Sequence, residues 1–310
     1  MTLRESATAA MIAAIVLAWA RPAAADEAPP TGTIYFARGG ALFAQPAAGG
    51  DATPLPADHA LPAVDALAVS ADGHWLLASG GGSHRLYDLR RPSAPPRVIV
   101  CPHTVRLSAD GNTALCDAGT GWLIEQDLGG IGRRVLVGDA TGATPMAGGD
   151  VVLARSGALL RVGPRTREVA PDSPAGAWLP APDGNRAVGV WTNGRHPEMF
   201  TFRLDGHAVR RRLLRDGVPV AWSADSKWVL AQRNKRACIV RAVGGEYKCW
   251  RRYRARAIAP DGSFALLERD GHDKGTVDLY RAQLDGADIA RPVLLERDVD
   301  GAAAWAPDAH

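Results

Sequence analysis

Six short turns of one kind recur along the chain, each between two apolar runs. They are Ser70-Ala71-Asp72-Gly73, Ser108-Ala109-Asp110-Gly111, Ala181-Pro182-Asp183-Gly184, Ser223-Ala224-Asp225-Ser226, Ala259-Pro260-Asp261-Gly262 and Ala306-Pro307-Asp308-Ala309. Aspartate can hydrogen-bond its own backbone and glycine accepts positive φ, so the pair suits a tight β-turn. The turn aspartates are separated by 38, 73, 42, 36 and 47 residues. The gap of 73 is two units with a degenerate turn near Gly148-Gly149-Asp150. A unit recurring about every 40 residues marks a propeller or a solenoid.

Each unit holds four strand-like runs, the content of one propeller blade. The second unit reads Ala66–Ser70, His74–Ser79, Arg85–Leu89 and Arg97–Val100. The ends of the chain supply the count. The first unit opens at Thr33–Ala37 with no innermost strand before it, and the last turn, after Ala302–Ala306, has no second strand after it. A ring in which the C-terminal strand becomes the innermost strand of the first blade resolves both deficits and removes the sheet edge. Innermost strands are expected at 66–70, 104–108, 142–147, 176–180, 219–223, 256–259 and 302–306. The expected fold is therefore an all-β, seven-bladed propeller over residues 33–310. The alternative is a β-sandwich whose turns are alike by chance.

At Ala221-Trp-Ser-Ala-Asp225, Ala304-Trp-Ala-Pro-Asp308 and Ala177-Trp-Leu-Pro with the following Ala-Pro-Asp-Gly, the sequence resembles the Trp-Ser-Pro-Asp-Gly repeat of TolB-like propellers. Glu268-Arg-Asp-Gly-His272 leading to Val277-Asp-Leu-Tyr280 resembles the same family's link from second to third strand. The likeness spans nearly all of the chain after its leader and is specific for architecture. It implies a propeller that binds something, since the repeat also occurs in scaffolds, peptidase-associated propellers and polysaccharide lyases. The founding members pair a six-bladed ring with an N-terminal α/β domain, whereas this first blade begins a few residues after the leader, so their particular role is not carried over.

The N-terminus reads as a secretory leader. Arg4 supplies positive charge, Ala7–Ala20 is apolar, and Ala23-Ala24-Ala25 is a small-residue cleavage site before Asp26. The expected domains are a leader at 1–25, a short segment at 26–32 and the propeller. An uncleaved anchor is the alternative, but an apolar run of about 14 residues is short for a bilayer. No other segment is long and apolar enough to span, so the expected product is an exported, periplasmic, monomeric protein. Four cysteines in such a chain are most simply two disulfides. Proximity favours Cys101 with Cys116 and Cys238 with Cys249, neither in ideal register, so a bulge is expected; four buried thiols are the alternative. No Cys-x-x-Cys or clustered histidine points to a metal, and nothing calls for a cofactor.

Net charge is only +3, but it is uneven. Asn185–Arg256 holds 17 Lys and Arg against 5 Asp and Glu, leaving 19 against 28 elsewhere, so the two parts carry +12 and −9. The densest runs are Arg210, Arg211, Arg212 and Arg215, then Lys248, Arg251, Arg252, Arg254 and Arg256, the second interleaved with Tyr247, Trp250 and Tyr253. Both runs are expected on outermost strands, as a basic wall for an anionic partner. Behind a leader that partner is an envelope protein or an anionic glycan or lipid rather than nucleic acid. The bland alternative is that exposed arginines guard sheet edges.

Propeller topology gathers a second set on one face, where second-to-third-strand links and blade-to-blade links emerge around the channel. His59, His84, His103, His196 and His272 are expected there, with Arg195, Arg233, Asn234, Lys235 and Arg236. They form either a metal or other ligand site at the channel mouth or solvated loop residues. There is no Gly-x-Ser-x-Gly elbow and no His-Glu-x-x-His. The expected function is a binding or scaffolding module in the cell envelope. The alternative is a propeller enzyme, a metal-assisted lyase, lactonase or hydrolase, working at the channel mouth.

Overall fold

The structure, a computed structural model, describes residues 30–56, 63–70, 72–108, 111–119, 121–129, 132–146, 149–170, 172, 178–193, 196–206, 210–285 and 288–307. The leader at 1–25 lies outside the described residues. No helix among them is long and apolar enough to cross a membrane. Their sheets are seven antiparallel blades.

Blade 1 runs, from the channel outward, Ala303–Ala306, Thr33–Arg38, Ala41–Pro46 and Thr53–Pro54. The other innermost strands are Ala66–Val69, Val105–Leu107, Ala140–Pro145, Trp178–Pro180, Gly217–Trp222 and Arg254–Ile258, opening blades 2 to 7 in chain order. All seven fall where the repeat places them. The degenerate fourth unit is a full blade from Ala140 to Ala170, and blade 7 carries an extra two-residue strand at Asp288–Ile289.

Turn chemistry makes the repeat. In the first turn the Ser70 hydroxyl donates to Asp72 Oδ1 at 2.5 Å, Asp72 Oδ1 accepts the His74 amide at 3.0 Å, and the Ser70 hydroxyl accepts the Trp75 amide at 2.9 Å. Gly73, at φ 70°, donates its amide to the Ser70 carbonyl at 2.9 Å. The fourth of the six turns repeats the pattern with Ser226 in the glycine place at φ 57°. Burial alone raises the Asp225 carboxyl. The Ser223 hydroxyl, the Lys227 amide and the Lys227 ammonium outweigh it and hold Asp225 below the usual carboxylate range. A carboxyl depressed in the fold contributes stability that is complete above its unfolded value and is lost as pH falls through the folded one. Thermal stability is therefore expected to hold down to about pH 5 and to fall below about pH 4. Asp225→Asn should shrink that acid slope, and an unchanged slope would contradict the assignment.

Between each pair of neighbouring blades, including 7 and 1, lies one apolar cluster. Trp178 and Trp305 are buried in two of them and Trp222 packs on a third. The tryptophan of the repeat is thus blade-to-blade core, and the Trp222 and Trp305 indoles each donate to a neighbouring carbonyl, of Leu179 and Thr31, at 3.1 Å. At the seam Gly32 has φ 98°, and a Cβ there would lie 2.2 Å from the Ala306 carbonyl oxygen, so the chain can pass the closing strand only as glycine.

Both disulfides form as expected from proximity. Cys238 and Cys249 face each other directly on adjacent strands and need no bulge, which corrects the expected register. Cys101 lies in the link before Val105–Leu107 rather than on that strand.

Candidate anion-binding groove

Blade 6 carries the site. Its outer three strands are Trp228–Arg233, Arg236–Arg241 and Tyr247–Arg251. Arg233 is paired with Arg236 across the link, and Arg236 with Arg251 across the next gap. Side chains alternate between the faces of a sheet. These three arginines share the parity of Ala231, Cys238 and Cys249, which pack toward blade 5. Three like charges therefore stand in a row on one face, an arrangement that weakens strand pairing.

Around this row is a hollow of about 480 Å³ lined by Arg233, Asn234, Lys235, Arg236, Arg251 and Arg252. No carboxylate among the described residues is ion-paired with any of these five cations, and Arg233 instead lies 3.4 Å from the Tyr247 hydroxyl and over its ring. Asn234 and Arg252 both have positive φ, at 50° and 68°, and the Arg252 amide donates to the Lys235 carbonyl at 2.9 Å. Asparagine tolerates that region, whereas an arginine there is uncommon and points to a constrained rim. A second hollow of about 450 Å³ shares Asn234, Lys235 and Arg252 and continues toward blade 7 past Tyr253, Arg254, Arg269 and Asp270.

This geometry corrects the single basic wall. Arg210, Arg211 and Arg212 lie on the outermost strand of blade 5 but at its opposite end, where Arg211 sits against Gly244 on the turn face. Arg210 pairs with Asp172 and covers the Trp191 ring at 4.4 Å, and burial lowers its pKa. Arg212 reaches Glu198 at 3.3 Å, while Arg215 is exposed at the link-face end. Lys248 is exposed on the outermost strand of blade 6. Arg254 and Arg256 are not on an outermost strand at all; they belong to the innermost strand of blade 7, where both clasp the buried Glu268. Burial opposes the Arg254 charge, but Glu268 and Asp270 outweigh it and raise its pKa. Trp250 is core, donating to the Ala290 carbonyl at 3.0 Å, and Tyr253 meets Tyr280 edge-on at 5.1 Å. Of the three interleaved aromatics only Trp250 points inward from the strand; Tyr247 is exposed and Tyr253 lies in the link after it.

The histidines share a face but do not converge. His84 is buried, with Nδ1 at 2.8 Å from the Ser79 hydroxyl and Nε2 without a partner. His103 lies against Gly119, His196 is 3.3 Å from Asp216, and the exposed His272 is 3.3 Å from Asp273. No three His, Cys, Asp or Glu side chains among the described residues could together hold a metal ion. His59 and Arg195 lie outside the described residues. On the opposite face a hollow of about 270 Å³ contains His74, but His74, Asp88 and Arg91 are tied to one another there at 2.8–3.0 Å.

The ring resembles solved propellers. TolB from Acinetobacter baumannii is 14% identical over 89% of this chain and 67% of that one, with a TM-score of 0.55. The fold is that of the TolB-like propellers. An oligogalacturonate lyase in complex with manganese is 14% identical over 79% of this chain and 83% of that one, TM-score 0.58. A chain of a nidogen/laminin complex is 16% identical over 87% and 97%, TM-score 0.51. No family model matches the sequence, and no curated protein does. At such identities the likeness is one of fold alone.

Proposed function

We propose that this chain is an exported propeller that serves as a binding or scaffolding module of the cell envelope, and that it holds an anionic partner in the groove on blade 6. The observation that carries the reading is the row Arg233, Arg236 and Arg251, flanked by Lys235 and Arg252, with no carboxylate ion-paired to any of them among the described residues. Gathering like charges across paired strands costs strand stability, and a bound anion offsets that cost. A closed ring keeps the groove rigid, so little ordering entropy opposes binding. The apolar leader and two disulfides fit an oxidising compartment outside the cytoplasm. A chain of a nidogen/laminin complex has a similar fold, which fits a role in protein binding.

The test is in-cell crosslinking of tagged protein, followed by capture of the envelope fraction. Reversing Arg233, Arg236 and Arg251 to glutamate is expected to cut partner capture on the order of a hundredfold, given about 1 kcal/mol per interfacial charge. The same reversal at Arg211, on the opposite face, should leave capture nearly intact. If groove reversal does not alter capture, the reading is wrong.

A further inference from the structure

The arginine row stands at the free edge of a sheet, and one covalent bond lies directly beneath it. Arg236 opposes Arg251, and two residues along the same strands Cys238 opposes Cys249 on the same face. The cysteine Cα atoms are 4.0 Å apart, which identifies the closely spaced, non-hydrogen-bonded kind of pair. Such pairs recur every second residue, so Arg236 and Arg251 form one too, with side chains at their nearest approach. Tyr247–Arg251 is the last strand in its sheet, with no further strand outside it. Past the row, the Arg252 amide to Lys235 carbonyl hydrogen bond holds the strand end. Repulsion along the row pushes this edge strand outward, and the disulfide opposes that push.

We propose that the Cys238–Cys249 cross-link is the positioning element of the groove. It holds the outer strand in register so that Arg233, Arg236 and Arg251 present a preformed site for an anion carrying three or more charges. Neighbouring strands lie about 4.8 Å apart, so the row spans two such steps, and a single compact charge can serve only one gap of it. Multivalence in the ligand matches the row; preorganisation by the disulfide spares the ligand the work of assembling it. This inference rests on the anion-binding reading above.

Tripolyphosphate and orthophosphate are the probes, titrated calorimetrically at fixed ionic strength. The native chain is expected to bind tripolyphosphate at least about tenfold more tightly than orthophosphate. The double variant Cys238→Ser/Cys249→Ser should lose about tenfold in tripolyphosphate affinity, while Cys101→Ser/Cys116→Ser in blade 3 should stay within about twofold. A native chain that ignores tripolyphosphate overturns the anion-binding reading itself. Native binding that survives Cys238→Ser/Cys249→Ser undiminished overturns only the role of the cross-link, and equal affinity for the two probes overturns the call for a multivalent ligand. Should the blade 6 double variant fail to fold, adding Arg236→Gln and Arg251→Gln is expected to restore folding by removing the repulsion. A quadruple variant that stays unfolded would also sink the proposal.

Discussion

Deleting residues 302–310 is expected to abolish cooperative folding of the whole ring, not merely to loosen its end. Ala303–Ala306 is the innermost strand of blade 1, paired from Thr33 with Ala306 to Phe36 with Ala303. Its Trp305 is buried in the cluster between blades 7 and 1, stacks with Phe264 at 6.4 Å between centroids and donates to the Thr31 carbonyl. Without this strand the two terminal blades lose their shared core, and Thr33–Arg38 becomes an exposed edge ready to pair with another chain. Trp305→Ala alone should cost about 3–5 kcal/mol, a large part of a typical stability of about 5–15 kcal/mol. Near-UV circular dichroism on melting and size-exclusion chromatography check both. A truncated chain that stays monomeric and melts like the parent would mean that the ring does not depend on this seam.

Glu268→Gln is expected to destabilise by about 2–4 kcal/mol with little change in side-chain volume. Glu268 is 1% exposed and its two oxygens take Arg254 and Arg256 from the neighbouring innermost strand. Removing its charge leaves two guanidinium groups facing a neutral amide. The full cost of breaking a buried pair is not expected, because the arginine side chains are 45% and 34% exposed and water screens them in part. Arg254 also retains Asp270 at 2.7 Å. The check is the denaturant midpoint at constant m-value, and a midpoint within about 0.3 kcal/mol of the parent would show that this clasp contributes nothing to the fold.

The readability of this chain follows the range of the interactions involved. Ser70, Asp72 and Gly73 bond within five residues of one another, so their pattern is visible in the sequence and repeats wherever the turn does. Cys238 and Cys249 lie on the arms of one hairpin, which made proximity a sufficient guide to the pairing but not to the register. The fate of the arginines depended on longer distances. Arg210 finds Asp172 38 residues away, and Arg254 and Arg256 find Glu268 14 and 12 residues away across a strand pair. In the one-dimensional count all of these were simply positive.

The local chemistry of turns and the alternation of apolar residues determined by themselves the seven blades and the closure by the C-terminal strand. Tertiary structure alone decided which charges were already satisfied and which carry no ion pair among the described residues. It moved Arg254, Arg256, Trp250 and Tyr253 out of the basic wall and joined Arg233, Lys235 and Arg236 from a link to Arg251 and Arg252 from an outer strand. The reason is that neutralisation and burial depend on which residues are opposed across strands and which side of the sheet they face, and a shift of one residue exchanges the two faces.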